Sequence, residues 1–94
     1  MSQQTTVTIG EQDFDFSIGV DDYNRYINEQ MPNDKVAPAF NFLMRTVAEK
    51  QKDAFKKVVL VDGKPNGFLV MQVAQELVVD YTGGVKVSLK KPKG

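Results

Sequence analysis

Polar and apolar side chains alternate at the start of the chain. Thr6-Val7-Thr8-Ile9 and Phe14-Asp15-Phe16-Ser17-Ile18 each repeat every two residues, the period of a strand with one buried face. Gly10-Glu11-Gln12-Asp13 separates them, and the pair is predicted to fold as a β-hairpin. Val7 and Ile9 then share a face with Phe14, Phe16 and Ile18, because side chains two apart on a strand point the same way. A lone hairpin is marginal in water, so that face needs a cover.

The period then lengthens. Gly19-Val20-Asp21-Asp22 suits a helix start, with Gly19 as N-cap and two carboxylates at the positive end of the helix dipole. Val20, Tyr23, Ile27 and, in part, Tyr26 and Met31 supply its apolar positions, and Pro32 disfavours a helical residue before it. After a loop at residues 32–35, Pro38 suits the first turn of a second helix. Phe40, Leu43, Met44 and Val47 form its core-facing stripe, which leaves Phe42 outside. Thr46-Val47-Ala48-Glu49 fits a capping box, so a helix is expected to restart there along a changed axis. Ala54, Phe55, Val58 and Val59 are its buried side, with residues 49–53 solvated.

Asp62-Gly63-Lys64-Pro65-Asn66-Gly67 is the densest turn signal in the chain. A last helix is predicted from about Phe68 to Tyr81. Gln72, Glu76 and Asp80 lie on one line, and apolar residues wrap most of the remaining circumference. Such a helix is either central to the core or exposes apolar surface. Its β-branched valines also allow a strand over Glu76 to Tyr81; helix is the reading adopted. Gly83 and Gly84 end it. Val85 to Gly94 is a basic tail, either disordered or adding a short edge strand through Val85, Val87 and Leu89.

The resulting expectation is an α+β fold: an N-terminal β-hairpin, three or four α-helices and a flexible basic C-terminal tail. Residues 1–84 form a single domain and 85–94 the tail. With 94 residues, 41% hydrophobic and 26% charged, the chain can bury one core but not two. The absence of cysteine excludes a disulfide framework and points to a reducing cytoplasm. No export signal or stretch long enough for a membrane span stands out. Net charge is zero, but residues 1–84 hold eight basic and twelve acidic side chains, while the tail holds four lysines and no acid. An acidic body with a short basic end is a poor match for a duplex-binding face.

Candidate chemistry is sparse. Without histidine or cysteine, the commonest general base, the usual nucleophile pairs and most transition-metal sites are gone, so neither an enzyme nor a cofactor is expected. Asp21 and Asp22 read as helix-start residues, and Asp13 and Asp15 as turn and solvent-face residues. Asp13-Phe14-Asp15-Phe16 lacks the glycine and terminal glutamate of a calcium loop, and Gly63-Lys64 lacks the phosphate-loop spacing. Arg45, alone among the apolar residues 40–47, either reaches an acidic partner or supports the end of its own helix. Tyr23 and Tyr26 suit an interface or a core rim equally.

Asp22-Tyr23-Asn24-Arg25-Tyr26-Ile27-Asn28, Met31-Pro32-Asn33, Lys35-Val36-Ala37-Pro38-Ala39 and Asn41-Phe42-Leu43-Met44-Arg45-Thr46-Val47 resemble a family of phage and prophage tail assembly chaperones. The strict likeness covers a quarter to a third of the chain. It implies a small protein of the host cytoplasm, absent from the finished virion, that coats the long tape measure protein; tail tube subunits then polymerise around the coated protein. It implies no catalytic residue. Tyr23, Tyr26, Phe42, Arg45, Phe68, Met71 and Leu77 are the side chains expected to meet a partner, and self-association is expected of so apolar a last helix. Competing expectations are a tail or head-tail connector subunit retained in the virion, and a nucleic-acid-associated regulator that uses the lysine tail.

Overall fold

The structure, a computed structural model, describes residues 3–83. Strand β1 (Gln3–Ile9) pairs antiparallel with β2 (Gln12–Ile18), placing Val7 opposite Phe14 and Thr5 opposite Phe16. The inner face is the one the alternation predicts, with Phe14, Phe16 and Ile18 buried and Val7 and Ile9 half-buried. Outside, the Thr8 hydroxyl donates to Asp13 Oδ1 at 2.6 Å and the Thr6 hydroxyl to Asp15 Oδ1 at 2.7 Å.

Four α-helices follow: α1 (Val20–Glu29), α2 (Val36–Thr46), α3 (Lys52–Val59) and α4 (Gly67–Thr82). This is the expected α+β order; the expected tail and its alternative edge strand lie outside the described residues. Gly19 caps α1, and its N–H donates to Asp22 Oδ2 at 3.0 Å. A second, very short hairpin, which the turn signal alone did not reveal, pairs β3 (Leu60–Val61) with β4 (Lys64–Pro65). Asp62 and Gly63 connect them at φ 53° and 79°, the paired left-handed conformation of a two-residue hairpin turn, which glycine adopts without steric penalty.

One buried cluster joins all of these layers. Phe55 of α3 meets Phe14 and Phe16 edge-on, with ring centroids 5.3 and 5.6 Å apart, and fastens α3 to the hairpin. Val70, Val73, Ala74 and Leu77 bring α4 into the same cluster. The last helix is therefore a helix throughout residues 76–81 and central to the core.

Three local expectations are corrected. In α1 the buried aromatic is Tyr26, whereas Val20, Ile27 and Met31 are exposed. The line facing α2 is Asp22–Tyr26–Glu29, and its two carboxylates face inward because Arg45 of α2 receives them. Phe42 is fully buried and stacks on Tyr26 at 4.7 Å. Because α1 and α4 both cover α2, its buried face is wider than a single stripe and takes in Pro38, Ala39, Phe42, Leu43 and Thr46. The capping box at Thr46 does not form. The Thr46 hydroxyl instead donates back to the Phe42 carbonyl at 2.8 Å, and the chain restarts through a single 3-10 turn, Glu49–Gln51.

That restart also seals one sheet edge. Val47 bridges Phe16, Ala48 N–H donates to the Asp15 carbonyl at 2.8 Å, and Asp15 N–H donates to Gln51 Oε1 at 2.7 Å. Gln51 is therefore engaged rather than merely solvated. So is Lys52, whose ammonium donates to the Met44 carbonyl at 2.8 Å.

Candidate partner-binding surface

The start of α4 is held from three sides. Asn66 N–H donates to the Val59 carbonyl at 2.7 Å, and Asn66 Oδ1 accepts from Leu69 N–H at 3.2 Å as the helix N-cap. Such a cap contributes about 1 kcal/mol. Gly67 sits against Val36 of α2; a Cβ at Gly67 would lie 3.0 Å from Val36 Cγ2, so only glycine fits without displacing that side chain.

Phe68, the next residue, is 80% exposed. A rigid backbone thus presents an aromatic ring to solvent, which costs the isolated chain the roughly 1.5–3 kcal/mol that burying it would supply. Beside the ring lies an open groove of about 490 Å³ lined by Val36, Gly67, Phe68, Met71, Gln72 and Gln75. Its floor is apolar, its rim carries amides, and no lining side chain is charged. That surface suits the apolar side of a polypeptide and offers nothing to a phosphate backbone. A groove of similar volume on the outer hairpin face is lined by hydroxyls, an amide and the Asp15 carboxylate, and lacks an exposed anchor.

Phe68 and Met71 are therefore brought together on one surface, while the other side chains expected to meet a partner lie elsewhere. Phe42 and Leu77 are fully buried and offer no surface. Tyr26 is buried beneath α1, and desolvation pushes its phenol above the ordinary value of 10.0, against a lowering hydrogen bond from Gln30. Tyr23 stacks on Tyr81 at 5.3 Å and joins α1 to the end of α4.

Arg45 stands in the last turn of α2, where its charge suits the helix end as expected, and its guanidinium is turned to α1 rather than to a partner. Its side chain is 20% exposed; it donates to Glu29 Oε1 at 3.4 Å and to the Asp22 carbonyl at 3.3 Å, while Nε stands 4.0 Å from Asp22 Oδ1. It is a cross-link between α1 and α2. Sequence reasoning missed Val36 and Gln75, which reach the groove only because α2 and α4 begin side by side. The one available signal was Phe68 preceding the buried series Val70–Val73–Ala74–Leu77 of its own helix.

The polar line of α4 has a structural use. Gln3 Nε2 donates to Asp80 Oδ2 at 2.7 Å and to the Asp80 carbonyl at 3.1 Å, and the Thr5 hydroxyl also donates to Asp80 Oδ2. The Thr5 bond, then the Gln3 bond, hold the Asp80 carboxyl below the ordinary value of 3.8. A depressed folded-state pKa stabilises above the unfolded value and loses that effect as pH falls through the folded one. The β1–α4 clasp is thus expected to loosen as pH falls below about 4. Protection factors at Gln3 and Thr5, the exchange rates set against those of an unstructured chain at the same pH, should fall as pH drops from about 6 to about 3, and Asp80→Asn should remove that response.

Among the described residues no three His, Cys, Asp or Glu side chains gather where a metal ion could be held. No described helix is long and apolar enough to cross a membrane. No curated protein and no solved structure matches the chain. Residues 5–91 match a protein family described as phage tail assembly chaperone, and that match takes in the first hairpin from Thr5 onward, the second hairpin, the four described helices and the Phe68 groove. Extending over nearly the whole chain, it establishes that this protein belongs to the phage tail assembly chaperone family.

Proposed function

We propose that this chaperone acts without catalysis, in the host cytoplasm, by holding the tape measure protein while the tail is built, and that it is absent from the finished virion. The observation that carries this reading is Phe68, exposed on an anchored helix start beside an uncharged, apolar-floored groove. A long helical client has an apolar face that would otherwise self-associate, and a groove with one protruding aromatic and amides at its rim can cover a turn or two of it. Met71 and Val36 form the floor, and Gln72 and Gln75 supply donors and acceptors that do not select a client by charge. Tail tube subunits are the natural second partner, since they replace the chaperone along the client.

Co-expression provides the test. The tape measure protein from the same phage, produced with the tagged chaperone, is expected to stay soluble and co-purify with it. A tape measure protein that is equally soluble without the chaperone and does not co-purify would exclude this function.

A further inference from the structure

Phe68 and the groove beside it form a patch that can close on a copy of itself. The apolar series Val70–Val73–Ala74–Leu77 of α4 lies inside the chain's own core, so it is not what a neighbour covers. The apolar side chain that α4 leaves most exposed is Phe68, at 80% against 57% for Val79. Any association through this helix therefore falls to its start.

A protruding ring and a hollow side by side are the two halves of an isologous contact. A twofold axis that lies in the interface and passes between them sets each copy's ring over the other copy's hollow. Size permits this, because a cavity of about 150 Å³ takes a benzene ring and the groove measures about 490 Å³. Polarity permits it too. Val36, Gly67 and Met71 give the ring apolar walls, and no lining side chain is charged, so two apposed patches bring no like charges together. Gln72 and Gln75 each carry a donor and an acceptor, so an amide can pair with an amide of the second copy, which two carboxylates or two ammonium groups could not do.

We propose, resting on the reading of this groove as a protein-binding surface, that a second copy of the chain occupies it when no client is present, the Phe68 ring of each copy seated in the groove of the other. Two buried rings account for about 300–500 Å². Doubling that for the walls they cover still falls short of the roughly 1,200 Å² from which stable interfaces start. The pair is therefore weak and exchanges readily, as a cap that a client displaces must.

Sedimentation equilibrium of the full chain alone tests this. The mass should move from one chain toward two as concentration rises to about 1 mM, the weak end of measurable association. Phe68→Asp should remain a single chain over the whole range, with an unchanged melting midpoint in dilute solution to show an intact fold. In a mixture of isotope-labelled and unlabelled parent chains, NOEs selected between copies should join the Phe68 ring to the methyl groups of Val36 and Met71. A one-chain mass at every concentration would overturn the proposal. So would a dimer that persists in Phe68→Asp, or one whose contacts between copies omit Phe68. The client reading is decided apart from this: a Phe68-seated dimer that a tape measure fragment neither binds nor dissociates would remove the client and leave the pairing standing, and a fragment bound by a chain that is monomeric throughout would do the reverse.

Discussion

Phe55→Ala is expected to lower the thermal midpoint by on the order of 20 °C. Phe55 is fully buried and is the ring against which both Phe14 and Phe16 pack edge-on. Removing such a ring costs about 3–5 kcal/mol through lost transfer energy and the cavity left behind. Domains this small are stable by roughly 5–15 kcal/mol, and each kcal/mol moves the midpoint by about 4–8 °C. Local geometry argues against relaxation, because α3 is tethered at its start by Lys52 to the Met44 carbonyl and at its end by Asn66 to the Val59 carbonyl. Phe55→Leu, which keeps most of the volume, should cost much less. Circular-dichroism melts decide the matter: a fall of less than about 5 °C for the alanine variant would mean that Phe55 does not join α3 to the hairpin.

What could be read in advance follows from how many partners each element has. The first hairpin was legible because one face meets the core and the other meets water, so the period of two survives in Val7, Ile9, Phe14, Phe16 and Ile18. Helix α2 was legible as a helix but not in its burial, since coverage from two sides buries Phe42 as well as Leu43. In α1 the apolar count put Val20, Tyr23 and Ile27 ahead of Tyr26, yet packing selected Tyr26 between two carboxylates. Only the position of Arg45, sixteen residues beyond Glu29, explains why Asp22 and Glu29 face inward. The pairing of Leu60–Val61 with Lys64–Pro65 is too short for any period to show.

The candidate surface was half legible. An excess of apolar residues on α4 announced a helix either central to the core or partly exposed, but which residues were left outside depended on the neighbours. Leu77 is fully buried in the core cluster, whereas Phe68 is left exposed beside Val36 of α2. The groove needed Val36, placed there by the close approach at Gly67, a contact between segments about thirty residues apart.

Phe68→Asp carries the second large effect, on binding rather than on folding. Burial of a phenylalanine ring is worth about 1.5–3 kcal/mol, so its loss should weaken client binding at least tenfold, at 1.4 kcal/mol per decade. Placing a carboxylate in the groove adds the penalty of desolvating it against the client. The fold should not suffer. An exposed side chain in the first turn of α4 makes little contribution to stability, and an acid there interacts favourably with the helix dipole. The variant therefore separates a surface role from a structural one, which truncating Phe42 or Leu77 could not do.

The most direct measurement is a calorimetric titration of a soluble tape measure fragment with the parent chain and with Phe68→Asp, alongside a thermal melt of each. Binding by the parent chain, at least tenfold weaker in the variant at an unchanged midpoint, is the predicted result. Equal affinity of the two chains would show that the client is held somewhere other than the groove at the start of α4.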